Sequence, residues 1–280
     1  MDIDECKRIE KCFSKTLLLC DMDGTLLNSN HQISEENQAA LNDFVDNGGW
    51  FTVATGRREG SIMNYASKLP INAPAILYNG AVIYDFNEKK VLWKNCLPAE
   101  TMGIVADLAA HFPGLGIEIF HNDNVYFYKQ NEYTMLHEKI DRFSPCILPV
   151  ELIPKPWYKV LLTWDPERLK DVALFLNTYK EVIRAVFSEP HYLELTSKNA
   201  SKDHALGQLI KILDISYSDV ISIGDNLNDL EMIKISGTGI AVGNSHPELK
   251  KIAKLCCCHN DEHSIPDALR LVRKRMDSGS

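Results

Sequence analysis

Acidic side chains stand in this sequence where carboxylate chemistry would need them. Asp21-Met22-Asp23-Gly24-Thr25 comes directly after the apolar run Thr16-Leu17-Leu18-Leu19-Cys20. A second acidic group, Gly224-Asp225-Asn226-Leu227-Asn228-Asp229, comes after the apolar run Val220-Ile221-Ser222-Ile223, and a polar group, Thr55-Gly56-Arg57, ends the run from Trp50 to Ala54. Open parallel sheets bind ligands outside the carboxyl ends of their strands, so the three clusters are expected to share one crevice. Four carboxylates there, Asp21, Asp23, Asp225 and Asp229, repel one another unless a cation neutralises them, and hard oxygen donors favour magnesium, Mg2+. An ionised carboxylate can attack phosphorus at neutral pH once a magnesium ion and a lysine screen its repulsion from a phosphate dianion. The Asp-x-Asp spacing puts the second carboxyl on the same side of an extended segment. It can then protonate the leaving group and later take a proton from the water that hydrolyses an aspartyl-phosphate. Gly24 permits the tight turn this requires.

The elements that must position these residues can be read along the chain. Unbroken apolar runs such as Thr16 to Cys20 have the pattern of strands buried on both faces of a parallel sheet. Ser34 opens a helix with Glu36 and Asn37 in its first turn and Ala40, Leu41, Phe44 and Val45 on one face, closing at Gly48-Gly49. Ala75-Ile76-Leu77-Tyr78 is a third apolar piece, broken by Asn79-Gly80. Residues 86–189 change character. Ile117 to Phe120 and Val125 to Tyr128 flank the turn Asn122-Asp123-Asn124, and helical stretches at Ala99 to Phe112 and Pro166 to Tyr179 alternate with strand-like runs at Lys159 to Trp164 and Arg184 to Ser188. The doubly wound pattern resumes after His191 to Thr196, with helices at Lys202 to Leu213, Asp229 to Ile235 and His246 to Leu255, and strands at Val220 to Ile223 and Gly239 to Val242. The fold class expected is α/β: a doubly wound, mostly parallel sheet formed by residues 1–85 and 190–280, with an inserted α+β domain at 86–189.

With 280 residues, 45% of them hydrophobic and 24% charged, the chain can bury a full core. A net charge of -8 offers no footprint for nucleic acid or an anionic membrane, since both need clustered positive charge. The apolar runs near the N-terminus are too short for a signal-peptide core or a membrane span, so a cytoplasmic location is expected. Eight scattered cysteines in a chain of this size read as reduced thiols. Cys256-Cys257-Cys258-His259 lacks the loop spacing of a zinc site and reads as a packed strand.

The ordered motifs resemble those of the haloacid dehalogenase-like hydrolases. Asp21-Met22-Asp23-Gly24-Thr25 is similar to the family's first motif, Thr55-Gly56-Arg57 to its second, Lys202 at a helix start to its third, and Gly224-Asp225-x-x-Asn228-Asp229 to its fourth. The insertion between the second and third motifs resembles the type IIB cap of the Cof-like phosphatases, as do Asn79-Gly80-Ala81 and Ala241-Val242-Gly243-Asn244. The resemblance covers essentially the whole chain. It implies a magnesium-dependent phosphatase acting on small phosphomonoesters, with sugar phosphates the default class and an aspartyl-phosphate intermediate. It further implies Asp21 as nucleophile and metal ligand, Asp23 as acid/base with its backbone carbonyl a second ligand, and Asp225 as a third. By the same matching Thr55, Gly56, Lys202, Asn228 and the Met22 backbone N–H hold the phosphate, Asp229 is a ligand or a brace, and Asn79 faces the substrate.

Taken singly, each motif has a plainer reading: Thr55-Gly56 as a strand-end turn and Lys202 as a solvated lysine, while Arg57 can reach the substrate or pair with Glu59 or another surface acid. His121 reads as exposed loop, and Trp93, Phe120, Tyr126, Phe127, Tyr128 and Trp164 as core of the inserted domain. The sequence departs from the family at Asp203, where glycine is usual after the lysine; an acid in a helix's first turn is stabilising there. It departs again at His263-Ser264, where Asp-Gly is usual, a change expected to leave the chemistry untouched. A phosphomutase of the same fold and a non-enzymatic magnesium-binding module are the alternative readings. A transport ATPase is set aside, because such chains carry threonine in place of Asp23 and need membrane helices. The sequence implies no particular oligomeric state.

Overall fold

Leu17–Cys20 forms the strand its apolar run predicts, with every side chain buried. It lies in a parallel sheet between Val220–Gly224 and Trp50–Val53, and Thr238–Ala241 and Leu255–Cys256 continue the sheet beyond Val220–Gly224. The chain leaves Leu17–Cys20 toward one side of the sheet and returns on the other. Such a switch in strand order opens a crevice at the carboxyl ends of the two central strands. Cys20 pairs with Ile223, so Asp21 and Gly224-Asp225 emerge side by side. The structure is a computed structural model that describes residues 12–65 and 68–278. These divide into two compact units, one of residues 12–53, 68–73 and 213–278, the other of residues 54–65 and 74–212.

In the first unit, Ser34 caps the helix Glu35–Asp46 by accepting the Asn37 N–H at 3.2 Å, and Leu41 and Phe44 turn into the core. Against this helix packs Ser264–Ser278, a helix not expected from the sequence although its signal was present. Ile265, Ala268, Leu269 and Val272 recur at i, i+3, i+4 and i+7 and are all buried. Two expectations need correction. The helix expected over His246 to Leu255 is only Pro247–Ile252, because Ala253 turns to an extended backbone and the Lys254 N–H bonds to the Gly239 carbonyl at 2.9 Å. Of the cysteine run, only Cys256 belongs to a strand, the edge strand Leu255–Cys256; Cys256 is exposed and Cys257 is buried.

The second unit holds a six-stranded sheet ordered Ile183–Glu189, Tyr192–Ser197, Lys159–Thr163, Gly116–His121, Asn124–Lys129 and Cys146–Ile147, antiparallel except for its last pair. A smaller antiparallel sheet joins Ala75–Leu77, Val82–Asp85 and Lys90–Lys94. The hairpin and the helices Thr101–His111 and Pro166–Leu176 form where the sequence predicts them. Strand alternation sends Ile117, Ile119, Val160, Leu162, Leu193 and Leu195 to one core with Val105, Leu108, Leu169 and Val172 from those helices. By the same period Glu118, Lys159 and Glu194 share the opposite face of the sheet, and all three are buried. His121 is half-buried rather than an exposed loop residue, its Nδ1 lying 2.8 Å from the Pro156 carbonyl oxygen.

The helix Glu132–Asp141 carries His137 to that polar face, where its Nδ1 is 2.7 Å from Glu118 Oε2 and its Nε2 is 3.5 Å from Asp141 Oδ2. Burial alone lowers the His137 pKa, but Glu118 and Asp141 outweigh it and hold the imidazole protonated, with its pKa raised from 6.5 to about 9. Burial raises the Glu118 carboxyl despite its histidine partner. For Asp141, burial is outweighed by His137, Arg57 and Ser61, and the pKa falls to about 2. A group whose pKa is raised by folding stabilises fully below its unfolded value and loses that contribution as pH rises through the folded one. The stability His137 supplies is therefore expected to decline between pH 6.5 and about 9. Thermal melts over that window, compared with those of His137→Gln, should show the gap in melting temperature closing as pH rises; a gap that stays constant would contradict the assignment.

Candidate active site

In the first unit, the backbone turns sharply after the strand Leu17–Cys20. Gly24 takes φ +74°, and a Cβ there would lie 2.5 Å from Asp225 Oδ2. Only glycine lets the Asp21–Thr25 turn pass this close to the second acidic strand end. Asp21, 6% exposed, Asp225 and Asp229 each bring a carboxylate oxygen within 4.8 Å of the other two. Thr25 Oγ1 donates to Asp225 Oδ1 at 3.2 Å. Asp229 is buried, and its Oδ2 already accepts the N–H groups of Asp225 at 3.1 Å and Asn226 at 3.2 Å. One of its oxygens thus braces the turn that presents Asp225. The Asp23 carboxylate is not in this cluster; it is 40% exposed, 3.7 Å from His31 Nδ1. Asn228 is half-buried in the turn Leu227–Asp229. Met22 sinks its side chain into the core, which leaves its backbone as the part that can meet a ligand.

Side chains not assigned a role at the site from the sequence fix this turn. The carbonyls of Gly24, Thr25, Leu26 and Leu27 accept, in order, from Asn244 Nδ2 at 2.7 Å, Ser264 Oγ at 2.8 Å, Asn37 Nδ2 at 3.2 Å and Asn260 Nδ2 at 2.9 Å. Asp261 also binds the N–H and hydroxyl of Ser29, at 2.7 and 2.8 Å. Ser264, which stands where the family usually has glycine, contacts the turn that follows Asp21 through its bond to the Thr25 carbonyl. His263 takes the left-handed backbone, φ +62°. A turn locked by four donors needs no rearrangement before reaction. Gly24→Ala is expected to displace Asp225, cutting turnover at least about tenfold and stability by roughly 1–3 kcal/mol. Paired rate and melting measurements check this, and a variant with wild-type values in both would contradict it.

In the second unit, Thr55 is buried and sits between two backbone bonds: its N–H donates to the Ile76 carbonyl and its carbonyl accepts the Asn79 N–H, both at 2.9 Å. Tyr78 and Asn79 both have φ above +50°, and Gly80 has φ +96°. A Cβ on Gly80 would run into the Ser201 carbonyl, so Asn-Gly here lets the loop close against the start of the helix Lys202–Leu213. Thr55, Gly56, Asn79 and the helix start bearing Lys202 are thereby brought together. Lys202 is 1% exposed, which overturns the reading of a solvated lysine. Asp203 occupies that helix's first turn, as expected. Arg57 pairs with Asp141 at 3.3 Å and lies over the Tyr65 ring, while Glu59 binds the Tyr78 hydroxyl. The sequence did not single out Lys159 and Glu194, which meet Gly56 and Asn79.

A model of the haloacid dehalogenase-like hydrolase family matches residues 18–269. The Bacillus subtilis (strain 168) protein named "Putative phosphatase YxeH" is 30% identical over 261 residues, covering 90% of this chain and 96% of its own length. A solved haloacid dehalogenase-like hydrolase from Bacteroides thetaiotaomicron superposes with a TM-score of 0.83 at 28% identity, covering 92% of this chain and 99% of its own. The subclass IIB sugar phosphatase BT4131 shares the fold at a TM-score of 0.79 and 21% identity, over 92% of this chain and 98% of its own. The chain belongs to the haloacid dehalogenase-like hydrolases and is a phosphohydrolase of that family.

Proposed function

We propose that the protein hydrolyses small phosphomonoesters, sugar phosphates foremost, with Mg2+ as cofactor and Asp21 as the group that is transiently phosphorylated. The observation that carries this reading is the meeting of Asp21, Asp225 and Asp229 within 4.8 Å at the carboxyl ends of adjacent parallel strands. Three carboxylates so close repel one another, and a set of hard oxygen donors suits magnesium. Asp21 and Asp225, with the Asp23 carbonyl, would hold the ion directly, and Asp229 through its remaining oxygen or as a brace. When bound, the cation offsets the negative charge of both the nucleophile and the phosphate.

Asp21 Oδ attacks phosphorus, the bond to the ester oxygen breaks, and the Asp23 carboxyl gives its proton to the departing alkoxide. Asp23, now ionised, takes a proton from a water molecule that attacks the phosphorus of phospho-Asp21, releasing inorganic phosphate and restoring the Asp21 carboxylate and the protonated Asp23 carboxyl. Thr55, Gly56, Lys202, Asn228 and the Met22 N–H hold the phosphate oxygens, and Asn79 faces the substrate. Residues 86–189 act as the cap over the leaving group. Among the described residues no helix is long and apolar enough to cross a membrane. The net charge of -8 and free cysteines such as Cys20 and Cys257 favour a cytoplasmic site of action. The test is a screen of phosphomonoesters for released phosphate with and without magnesium. Magnesium-dependent release from sugar phosphates is expected; no release from any ester, or release indifferent to magnesium, would refute the proposal.

A further inference from the structure

A buried ion pair links the carbonyl of the phosphate-motif glycine to the Asn79 side chain. Lys159, 5% exposed, donates to Glu194 Oε1 at 3.0 Å and to the Gly56 carbonyl at 2.9 Å. Glu194, 6% exposed, accepts the Asn79 amide at its other oxygen at 2.5 Å. The Asn79 backbone N–H in turn holds the Thr55 carbonyl at 2.9 Å, which fixes the plane of the Thr55–Gly56 peptide and so the direction of the Gly56 N–H. The ring Gly56–Lys159–Glu194–Asn79–Thr55 is closed. Asn79 has φ +53°, a left-handed conformation that asparagine adopts more readily than most residues, and the Glu194 carboxylate holds its side chain. Gly56 leaves no room for error, since a Cβ on it would lie 2.9 Å from Asn79 Nδ2. Packing alone does not call for a lysine and a glutamate here, on a sheet whose opposite face carries the apolar core.

We propose that Lys159 and Glu194 are positioning residues that aim the Gly56 N–H at the phosphoryl group. They act through Gly56 and Asn79 and touch no substrate atom. The inference rests on the phosphatase reading and deepens it by adding two residues that the family motifs do not contain. Because the pair acts on the phosphoryl end, its loss should penalise all phosphomonoesters alike, whatever alcohol leaves.

The test uses the full chain with magnesium and compares wild type, Glu194→Gln, Lys159→Arg and the double variant Lys159→Met/Glu194→Gln, which removes both buried charges and so strands neither. Inhibition by orthovanadate reads the phosphoryl site, and kcat/KM is measured for para-nitrophenyl phosphate and a hexose phosphate. The double variant is expected to lose about tenfold in vanadate affinity and in kcat/KM for both substrates. Its melting curve should stay cooperative, and Lys159→Arg should recover much of the loss. Losses confined to the hexose phosphate, or vanadate affinity equal to wild type, would overturn the inference while leaving the phosphatase reading intact. A wild-type protein that turns over neither ester would overturn both.

Discussion

Asp21→Asn is expected to lower phosphate release by about 10⁴-fold or more, because an amide cannot attack phosphorus and no other described carboxylate shares its place at the strand end. The fold should survive the change. Asp21 sits with Asp225 and Asp229 within 4.8 Å, so replacing one anion by a neutral amide of the same shape relieves repulsion in the metal-free protein. The melting temperature without magnesium is therefore expected to hold or rise. The four side-chain bonds to the carbonyls of residues 24–27 do not involve the Asp21 carboxylate and should keep the turn in place. Phosphate release and differential scanning calorimetry together check this. A variant that is inactive because it has unfolded, or one that keeps its activity, would count against the role assigned to Asp21.

Magnesium removal is the second large effect. A chelator is expected to suppress turnover by about 10³-fold or more and added magnesium to restore it, with Asp225→Ala insensitive to the added ion. Calcium should not substitute, because it takes more ligands at longer distances than magnesium accepts. Isothermal titration with each ion, alongside rates, separates binding from catalysis. Full activity with calcium would contradict the assignment of magnesium to this site. Asp229 is expected to matter less through the ion than through the turn, since one of its oxygens already receives the N–H groups of Asp225 and Asn226.

Much of the site was legible because its acids lie where apolar strands stop. Leu17 to Cys20 and Val220 to Ile223 announce buried parallel strands by lacking alternation, and the residues just past the ends of such strands stand at the crevice. Local signals sufficed for Ser34 as a cap and for Lys202 at a helix start. The residues that hold the site were not legible, because each depends on a partner far along the chain. Asn260 reaches Leu27 across 233 residues and Ser264 reaches Thr25 across 239. An asparagine in a loop-like stretch gives no sign of being buried against a turn built at the other end of the sequence.

Lys159 and Glu194 escaped for a related reason. Lys159 stands at the mouth of an apolar strand, where a lysine ordinarily points to water, and its partner is 35 residues away on a neighbouring strand. Arg57 likewise has an acid nearby in sequence, Glu59, yet pairs with Asp141, 84 residues distant, because the helix Glu132–Asp141 ends beside it. The C-terminal helix is a different case. Its apolar spacing at Ile265, Ala268, Leu269 and Val272 was readable, but the polar stretch Asn260 to His263 before it reads as a loop and hid the start.

In the proposed reaction the phosphoryl group passes through Asp21. This route is tested most directly by mixing the magnesium-loaded protein with excess hexose phosphate, quenching in acid before the first turnover completes, and mapping the phosphoryl adduct by mass spectrometry of the digested chain. A hydroxylamine-sensitive phosphoryl group is expected on the peptide that contains Asp21, present in wild type and absent from Asp21→Asn. Turnover with no such adduct at any quench time, or an adduct on a different peptide, would contradict the route.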